Sequence, residues 1–470
     1  MKFSSSIIIV VLFLSACDTA ADAPKTTAAP APYELWLSNA DQSAKFQKQT
    51  VDGNGSGAST LPLIQVTAAN TFQSIEGFGC ALTGGSAQLL HAMSADARAA
   101  LLKELFATDG NNIGISALRI SIGASDLDDH VFSYDDLPTG QSDTAMAYFS
   151  LDPDRTHLIP ILKEILAINP EISILGSPWS APVWMKSGGS SIGGSLKVSY
   201  YAAYAKYFVK YLQAMKAEGI TVSAITVQNE PLHGGNNPSM VMQASEQMLF
   251  VRNYLGPAFA AAGLTTRIII YDHNADRTDY PLAVLADSVA RKYVDGSAFH
   301  LYGGNIASLS DVHNAYPDKH LYFTEQWIGA PGNFANDLNW HIGTLIIGAT
   351  QNWCRSVLEW NLASDPGLSI HTPGGCSECL GAVTISGSTV TRNPAYYIMA
   401  HAAKFVRPGS RRVESSQLGG LPNVAFVRPD GKTVLVVLNA ATQAASFRID
   451  DGTKNFVTSL RPGSVGTYVW

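Results

Sequence analysis

TVSAITVQNEPLHGG (221–235) is the stretch whose reading decides the fold. Its first half is a short apolar run with several β-branched residues, and it ends abruptly at Asn229-Glu230-Pro231. A short run apolar on both faces suits a strand of a parallel sheet, covered on each side. Val222–Glu230 is the fourth of eight such runs, the others being Gly77–Thr83, Ser116–Ile122, Ile172–Pro178, Arg267–Asn274, Ser297–Gly303, His320–Gln326 and Ser356–Ala363. Helical periodicity fills most of the gaps. Tyr201, Tyr204, Phe208, Leu212 and Met215 share a face, and Gly219 follows as a stop. Leu158, Ile161, Ile165 and Leu166 repeat the pattern before the third run, and Leu338, Ile342, Leu345, Ile346 and Ala349 before the eighth. Eight strand–helix alternations predict an α/β fold, a (β/α)8 barrel over residues 76–405.

The flanks read differently. Residues 33–75 hold Glu34–Leu37 and Leu63–Val66, separated by a Gly/Ser-rich turn. Residues 406–470 hold Val424–Arg428, Thr433–Leu438, Ala445–Ile449, Asn455–Leu460 and Gly466–Trp470, broken at Asp430-Gly431 and Asp451-Gly452. Short alternating strands with turn signals predict an antiparallel β-sandwich, and the simplest joining builds one appended domain from both chain ends.

Ahead of residue 33 the chain carries an address. Lys2 precedes the apolar run Ile7–Leu14, too short to span a bilayer, which leads into Leu14-Ser15-Ala16-Cys17. Residues 1–16 therefore read as a lipoprotein signal peptide, with Cys17 the lipidated residue after cleavage. Residues 17–32, rich in Ala, Thr and Pro, lack the apolar bulk to order themselves and form a flexible tether. The expectation is an exported monomer, lipid-anchored at the bacterial outer membrane or cell surface only through Cys17; an ordinary signal peptide with a coincidental cysteine, and hence a periplasmic or secreted protein, is the alternative. The net charge of −7 comes without any long Lys/Arg-dense stretch, which argues against nucleic acid as a partner. Of the remaining cysteines, Cys376 and Cys379 form a C-x-x-C in a Gly/Pro-rich loop, with no second ligand pair for zinc and no βαβ setting for redox work. A loop staple and two free thiols are both open readings.

Barrels place their chemistry at the C-terminal ends of strands. Here those ends carry Asp126, Trp179, Asn229-Glu230, Tyr271-Asp272-His273-Asn274, His300 and Tyr302, Glu325-Gln326-Trp327, and Trp360-Asn361. Glu230 and Glu325 close the fourth and seventh strands. Alone, either would be an ordinary surface or salt-bridged carboxylate. As a pair across a barrel mouth they suit glycoside hydrolysis, one protonating the leaving oxygen and the other attacking the anomeric carbon from roughly 5–5.5 Å away in retaining enzymes. Trp179, Trp184, Trp327 and Trp360 offer flat faces to a pyranose ring, although any one of them is more often core than subsite. Asn229 could bind a ring hydroxyl. His300 and Tyr302, two apart on one strand, point the same way. Arg119, inside the second strand, needs a carboxylate partner, with Glu325 and Asp126 as candidates.

These residues lie in seven ordered motifs: EGFGCALTGGSAQLL (76–90), LRISIGASDL (118–127), SPWSAPVWMKS (177–187), ITVQNEPLHGG (225–235), AFHLYGG (298–304), YFTEQWIG (322–329) and WNLASDPG (360–367). Together they resemble glycoside hydrolase family 30, of the glucosylceramidase and β-1,6-glucanase type. The resemblance implies the barrel and sandwich above, Glu230 as acid/base and Glu325 as nucleophile. It also implies a glycone subsite lined by Asp126, Trp179, Asn229, His300 and Trp360, with no cofactor or metal. Tyr302, Trp327 and Asn361 complete the candidate substrate contacts. Thr83-Gly84-Gly85 departs from the Thr-Asp pair of many relatives, and His300-Leu301-Tyr302 from the glucosylceramidases. These variants, and the loop GGCSECLGAVTI (374–385), look closer to the β-1,6-glucanases, so β-linked glucan or its oligosaccharides is the expected substrate. A glucosylceramidase-like or β-glucosidase/β-xylosidase activity is the alternative within the class, and a non-catalytic carbohydrate-binding lipoprotein the alternative outside it. Gly189-Ser190-Ser191-Ile192-Gly193 matches a nucleophile elbow in letters only, since it lacks the strand–turn–helix setting.

Overall fold

Eight parallel strands close into a barrel in the computed structural model, which describes Met1 and residues 33–51 and 60–470. The expected signal peptide after Met1 and the whole tether, Cys17 included, lie outside the described residues. In chain order the strands are β1 (Gly77–Ala81), β2 (Ala117–Ser121), β3 (Ser173–Ser177), β4 (Ala224–Thr226), β5 (Arg267–Ala275), β6 (Val294–Gly304), β7 (His320–Glu325) and β8 (Cys354–Glu359). Each pairs with its sequence neighbour, and β8 returns to β1 through Ser356–Glu359 against Gly77–Cys80. The fourth run is far shorter as a strand than its apolar letters suggest, because the chain leaves the ladder after Thr226 to shape the site.

The interior is layered. Ala117, Leu175, Ala224, Ile269, Ala298, Tyr322 and Leu358 form an apolar floor. Two residues further along the strands the inward positions become polar: Arg119, Ser177, Thr226, His300 and Thr324, all buried. Outside, the helix Tyr201–Ala217 buries Tyr204, Tyr207, Phe208 and Tyr211, and Gly219 ends it with φ +84°. The helical reading before β8 holds with one difference. Phe334–Trp340 is α-helical, but His341–Ala349 is wound as a π-helix, which buries Ile342, Leu345, Ile346 and Ala349. Among the described residues no helix is long and apolar enough to cross a membrane.

Both chain ends meet in one nine-stranded sheet wrapped around a second core that includes Leu35, Ile64, Leu435, Phe447 and Tyr468. The expectation of a purely antiparallel sandwich needs one correction. Leu63–Ser74 runs antiparallel to Arg411–Ser415, but its first residues, Leu63–Gln65, pair in parallel with Arg448–Asp450. A single long strand thus joins both halves of the sheet, shifting register at Val413 as it passes between them.

Candidate active site

Above the floor, the polar layer converges on one buried carboxylate. Asp272 Oδ2 accepts hydrogen bonds from Arg119 (2.8 Å), Ser177 Oγ (2.8 Å) and Thr226 Oγ1 (2.7 Å). Its Oδ1 accepts from Thr324 Oγ1 (2.6 Å) and lies 3.2 Å from His300 Nε2. Burial works against its charge, but Arg119, His300 and the hydroxyls hold the carboxyl well below the usual range. Sequence reasoning places Asp272 at the end of the fifth strand but gives it no role. Ile269 points inward, so strict alternation would put Tyr271 inside and Asp272 outside. Both residues instead have positive φ (+72° and +69°), and the β5–β6 register shifts beside them. This bulge turns Asp272 to the interior and sends Tyr271 to pack on Tyr280 and Phe299.

Arg119 distributes its donors over this layer. Besides Asp272, it donates to Glu325 Oε2 (2.5 Å) and Asn229 Oδ1 (2.6 Å), and its guanidinium carbon stands 4.7 Å from the Trp179 ring centroid. Of the two partners expected for it, Glu325 is one; Asp272 takes the place of Asp126. Tyr302 Oη donates to Glu325 Oε1 at 2.9 Å, so both oxygens of that carboxylate are held in place. His300 Nδ1 lies 3.3 Å from Glu230 Oε1 and 3.8 Å from Glu325 Oε1, between the two glutamates. Burial pulls His300 down, but Glu325, Asp272 and Glu230 together push it up to about 9. Burial alone would raise Glu230; the hydrogen bond and charge of His300 turn the shift downward.

Glu230 occupies a strained backbone position, φ +43°, just past β4. Its N–H donates to Asp272 O at 2.9 Å, and the N–H of Asn229 donates to Pro178 O at 2.8 Å, which ties the turn to both neighbouring strands. One oxygen or nitrogen from each of Glu230, His300 and Glu325 falls within 4.8 Å of the others. Oxygens of the two carboxylates thus approach closely, in keeping with a retaining pair at roughly 5–5.5 Å rather than an inverting pair at roughly 6.5–9.5 Å. Above them opens a cavity of about 350 Å³, walled by Asp126, Trp179, Tyr302, Trp327 and Trp360 among others. Trp179 and Trp360 face each other at 5.3 Å. Burial first, and then Glu325, push the Asp126 carboxyl up to about 7, so near neutral pH it can offer a sugar hydroxyl either a donor or an acceptor.

This arrangement has counterparts. The family description "Glycosyl hydrolase family 30 TIM-barrel domain" matches residues 75–406, and "Glycosyl hydrolase family 30 beta sandwich domain" matches residues 409–468.

The chain belongs to glycosyl hydrolase family 30.

As a family 30 member it is a glycoside hydrolase. It is 37% identical over 414 residues to an endo-1,6-β-D-glucanase of Trichoderma harzianum, which covers 83% of this chain and 82% of the relative. It is 30% identical over 451 residues to the lysosomal acid glucosylceramidase of Mus musculus, covering 89% and 85% respectively. A solved structure of an endo-β-1,6-glucanase superposes with a TM-score of 0.87 at 35% identity, over 93% of this chain and 99% of that one.

Three expected contacts of the family 30 site do not line the cavity: Asn229 and His300 stand in the polar layer around Arg119 and Asp272, and Asn361 falls elsewhere. Asn361, with φ +70°, turns away from the cavity; its Oδ1 accepts from Ser86 Oγ (2.7 Å) and Thr83 Oγ1 (3.2 Å), and its Nδ2 donates to Cys379 O (3.3 Å). It fastens the loops behind the cavity wall rather than reaching sugar. The open question over the C-x-x-C resolves as a staple: Cys376 and Cys379 are disulfide-bonded and line the cavity, where Cys376 N donates to Asp126 Oδ2 at 3.2 Å. Cys379–Leu380 also pairs with Ile328–Gly329, so the staple joins the loop after β8 to the loop carrying Trp327. His273 is a further lining residue, at a strand end to which sequence reasoning gives no role. It lies 3.8 Å from Glu230, and burial holds it down at about 4, hence neutral. Only its place beside Asp272 at the end of the fifth run could have signalled it.

Proposed function

We propose that the protein hydrolyses β-1,6-linked glucan by double displacement, with Glu325 as nucleophile and Glu230 as acid/base. The observation that carries the mechanism is the pair of buried carboxylates within 4.8 Å, each with different neighbours. Glu325 is oriented at both oxygens by Arg119 and Tyr302, which suits attack on an anomeric carbon. Glu230 shares a contact with His300, a group protonated below about 9, so the proton for the leaving oxygen is present at that contact. Glycosylation forms the bond from Glu325 to the anomeric carbon and breaks the glycosidic bond as Glu230 protonates the departing oxygen. Water, deprotonated by Glu230, then reverses the first step on the same face.

The choice of linkage is supported by the β-1,6-glucanases among the relatives, in sequence and in structure. We expect pustulan and gentio-oligosaccharides to be cut, and laminarin, xylan and glucosylceramide to be poor substrates. Proton NMR of the first product formed should show the β-anomer. Early appearance of the α-anomer would refute double displacement, and activity confined to xylan or glucosylceramide would refute the linkage.

The leader motif Leu14-Ser15-Ala16-Cys17 supports export and a lipid anchor at Cys17, which leaves the enzyme on a tether outside the cytoplasm. Cells fed labelled palmitate should label the wild-type chain and not Cys17→Ser; equal labelling would remove the anchor from the proposal.

A further inference from the structure

A second cleft lies at the opposite end of the barrel from the glutamates. The helices Ala95–Phe106 and Pro394–Ala403 run back against the strands, so Thr108 and Lys404, which follow them, sit at the N-terminal face. There Lys404 and Arg407 meet Arg428 and Lys432, from the turn between sandwich strands Asn423–Val427 and Thr433–Leu438, around a cavity of about 220 Å³. On a chain of net charge −7, this is a local excess of cations.

The nearby carboxylates are already paired. Glu34, on the cavity wall, binds Lys48 at 3.1 Å; Asp109 lies 3.8 Å from Lys103; Asp430 binds Arg428 at 2.9 Å. Among the described residues, no ion pair forms at Lys404, Arg407 or Lys432. Part of the arrangement ties the following loop: Lys404 Nζ donates to the carbonyls of Thr108, Gly110 and Asn112 (2.8–2.9 Å), and one Arg407 nitrogen donates to those of Gly114 and of Ala403 at a helix end. These carbonyls account for those donors and leave their charges uncancelled. It also leaves Arg428 Nε, which is buried and has no partner. The two guanidiniums repel, and burial together with Arg428 pushes Arg407 down to about 10. An anion between them would supply the missing acceptor and relieve the repulsion.

We propose that this cleft binds a phosphate group, presented as inorganic phosphate or on a lipid headgroup. A tetrahedral oxyanion matches forked guanidinium donors flanked by point charges, and the cavity holds it with several waters. The lipid source is within reach. Glu34 on the cavity wall follows Cys17 by 17 residues, a span of up to roughly 55 Å when extended. That arm alone rests on the proposed anchor.

The test uses the full chain carrying Cys17→Ser, so that an acyl anchor does not set vesicle binding. Calorimetry with inorganic phosphate against chloride at equal ionic strength should show one saturable site. Arg407→Gln and Lys432→Gln should each weaken it about tenfold. Arg407→Gln removes carbonyl contacts and can lower stability; Lys432, whose side chain makes no described hydrogen bond, provides the variant free of that effect. Unchanged glucan hydrolysis in both variants verifies their folding. Partition onto phosphatidylcholine vesicles doped with phosphatidic acid, above the level on phosphatidylcholine alone, should be competed by free phosphate and lost in both variants if the lipid is the source. Phosphate binding without such partition assigns the site to free phosphate. No saturable phosphate binding together with equal vesicle partition of wild type and variants overturns the proposal, as does phosphate binding that survives both substitutions.

Discussion

Glu325→Gln is expected to lower kcat on β-1,6-glucan by roughly 10⁴- to 10⁶-fold while leaving oligosaccharide affinity within a few-fold. The amide keeps the shape of the side chain but cannot form the glycosyl–enzyme ester. Arg119 retains Asp272 and Asn229 as acceptors, so the polar layer is only partly disturbed. The aromatic walls, Trp179, Trp327 and Trp360, remain to hold the sugar. Stopped-flow or steady-state rates, paired with calorimetric binding of a gentio-oligosaccharide, separate the two effects. A variant that loses binding along with turnover, or retains more than a hundredth of wild-type kcat, would remove Glu325 from the nucleophile's role. Glu230→Ala gives the complementary result. Glucan, whose leaving oxygen needs a proton, should lose most of its turnover. An aryl glycoside with an acidic phenol needs none, so it should still form the intermediate and then stall. Added azide, a nucleophile that needs no general base, should release that intermediate. The azide product should be the β-glycosyl azide; an α-glycosyl azide from Glu230→Ala would exchange the two roles.

The barrel was legible because its evidence is periodic. Each strand had to be apolar on both faces, and helices such as Tyr201–Ala217 had to repeat at 3.6 residues, so eight alternations could be counted without knowing any contact. The glutamates were legible because strand ends in a barrel share one face. Features made by local departures from periodicity were not. Asp272 sits in RIIIYDHN (267–274), which reads as a plain strand; nothing in those letters shows that Tyr271 and Asp272 both take positive φ and exchange their sides. Asn361 failed in the opposite sense. It lies at a strand end, where the rule assigns a pocket residue, but φ +70° directs it to Ser86 and Thr83. The parallel pairing of Leu63–Gln65 depends on a partner almost four hundred residues away, and short-range patterns carry no register over such a distance. The staple at Cys376 was half legible: the spacing allowed a bridge, and only the fold brings it against Asp126.

Asp272→Asn carries the second large effect, on a residue that need not touch substrate at all. Asp272 is the shared acceptor for Arg119, Ser177, Thr226 and Thr324 and the neighbour of His300 Nε2. Removing one charge from a buried network leaves the opposite charge under-compensated, so the variant should lose about 3 kcal/mol, read as a lower urea midpoint. Arg119 and His300 orient Glu325 and Glu230, and a displacement near 1 Å should lower kcat/KM about 100-fold. The pH profile distinguishes positioning from simple loss of folded enzyme. In the wild type His300 is raised from 6.5 to about 9, with Asp272 among the causes. A raised histidine contributes stability that is fully present below its unfolded value, near 6.5, and is lost as pH rises through about 9. The proton it keeps beside Glu230 should follow the same window, which predicts an alkaline limb of kcat/KM near pH 9. Without the Asp272 charge His300 should deprotonate at lower pH, moving that limb toward neutrality. Fewer folded molecules would scale the whole curve down without moving the limb. A profile of unchanged shape would therefore make Asp272 a purely structural residue, and a shifted limb would place it in control of the proton that Glu230 delivers.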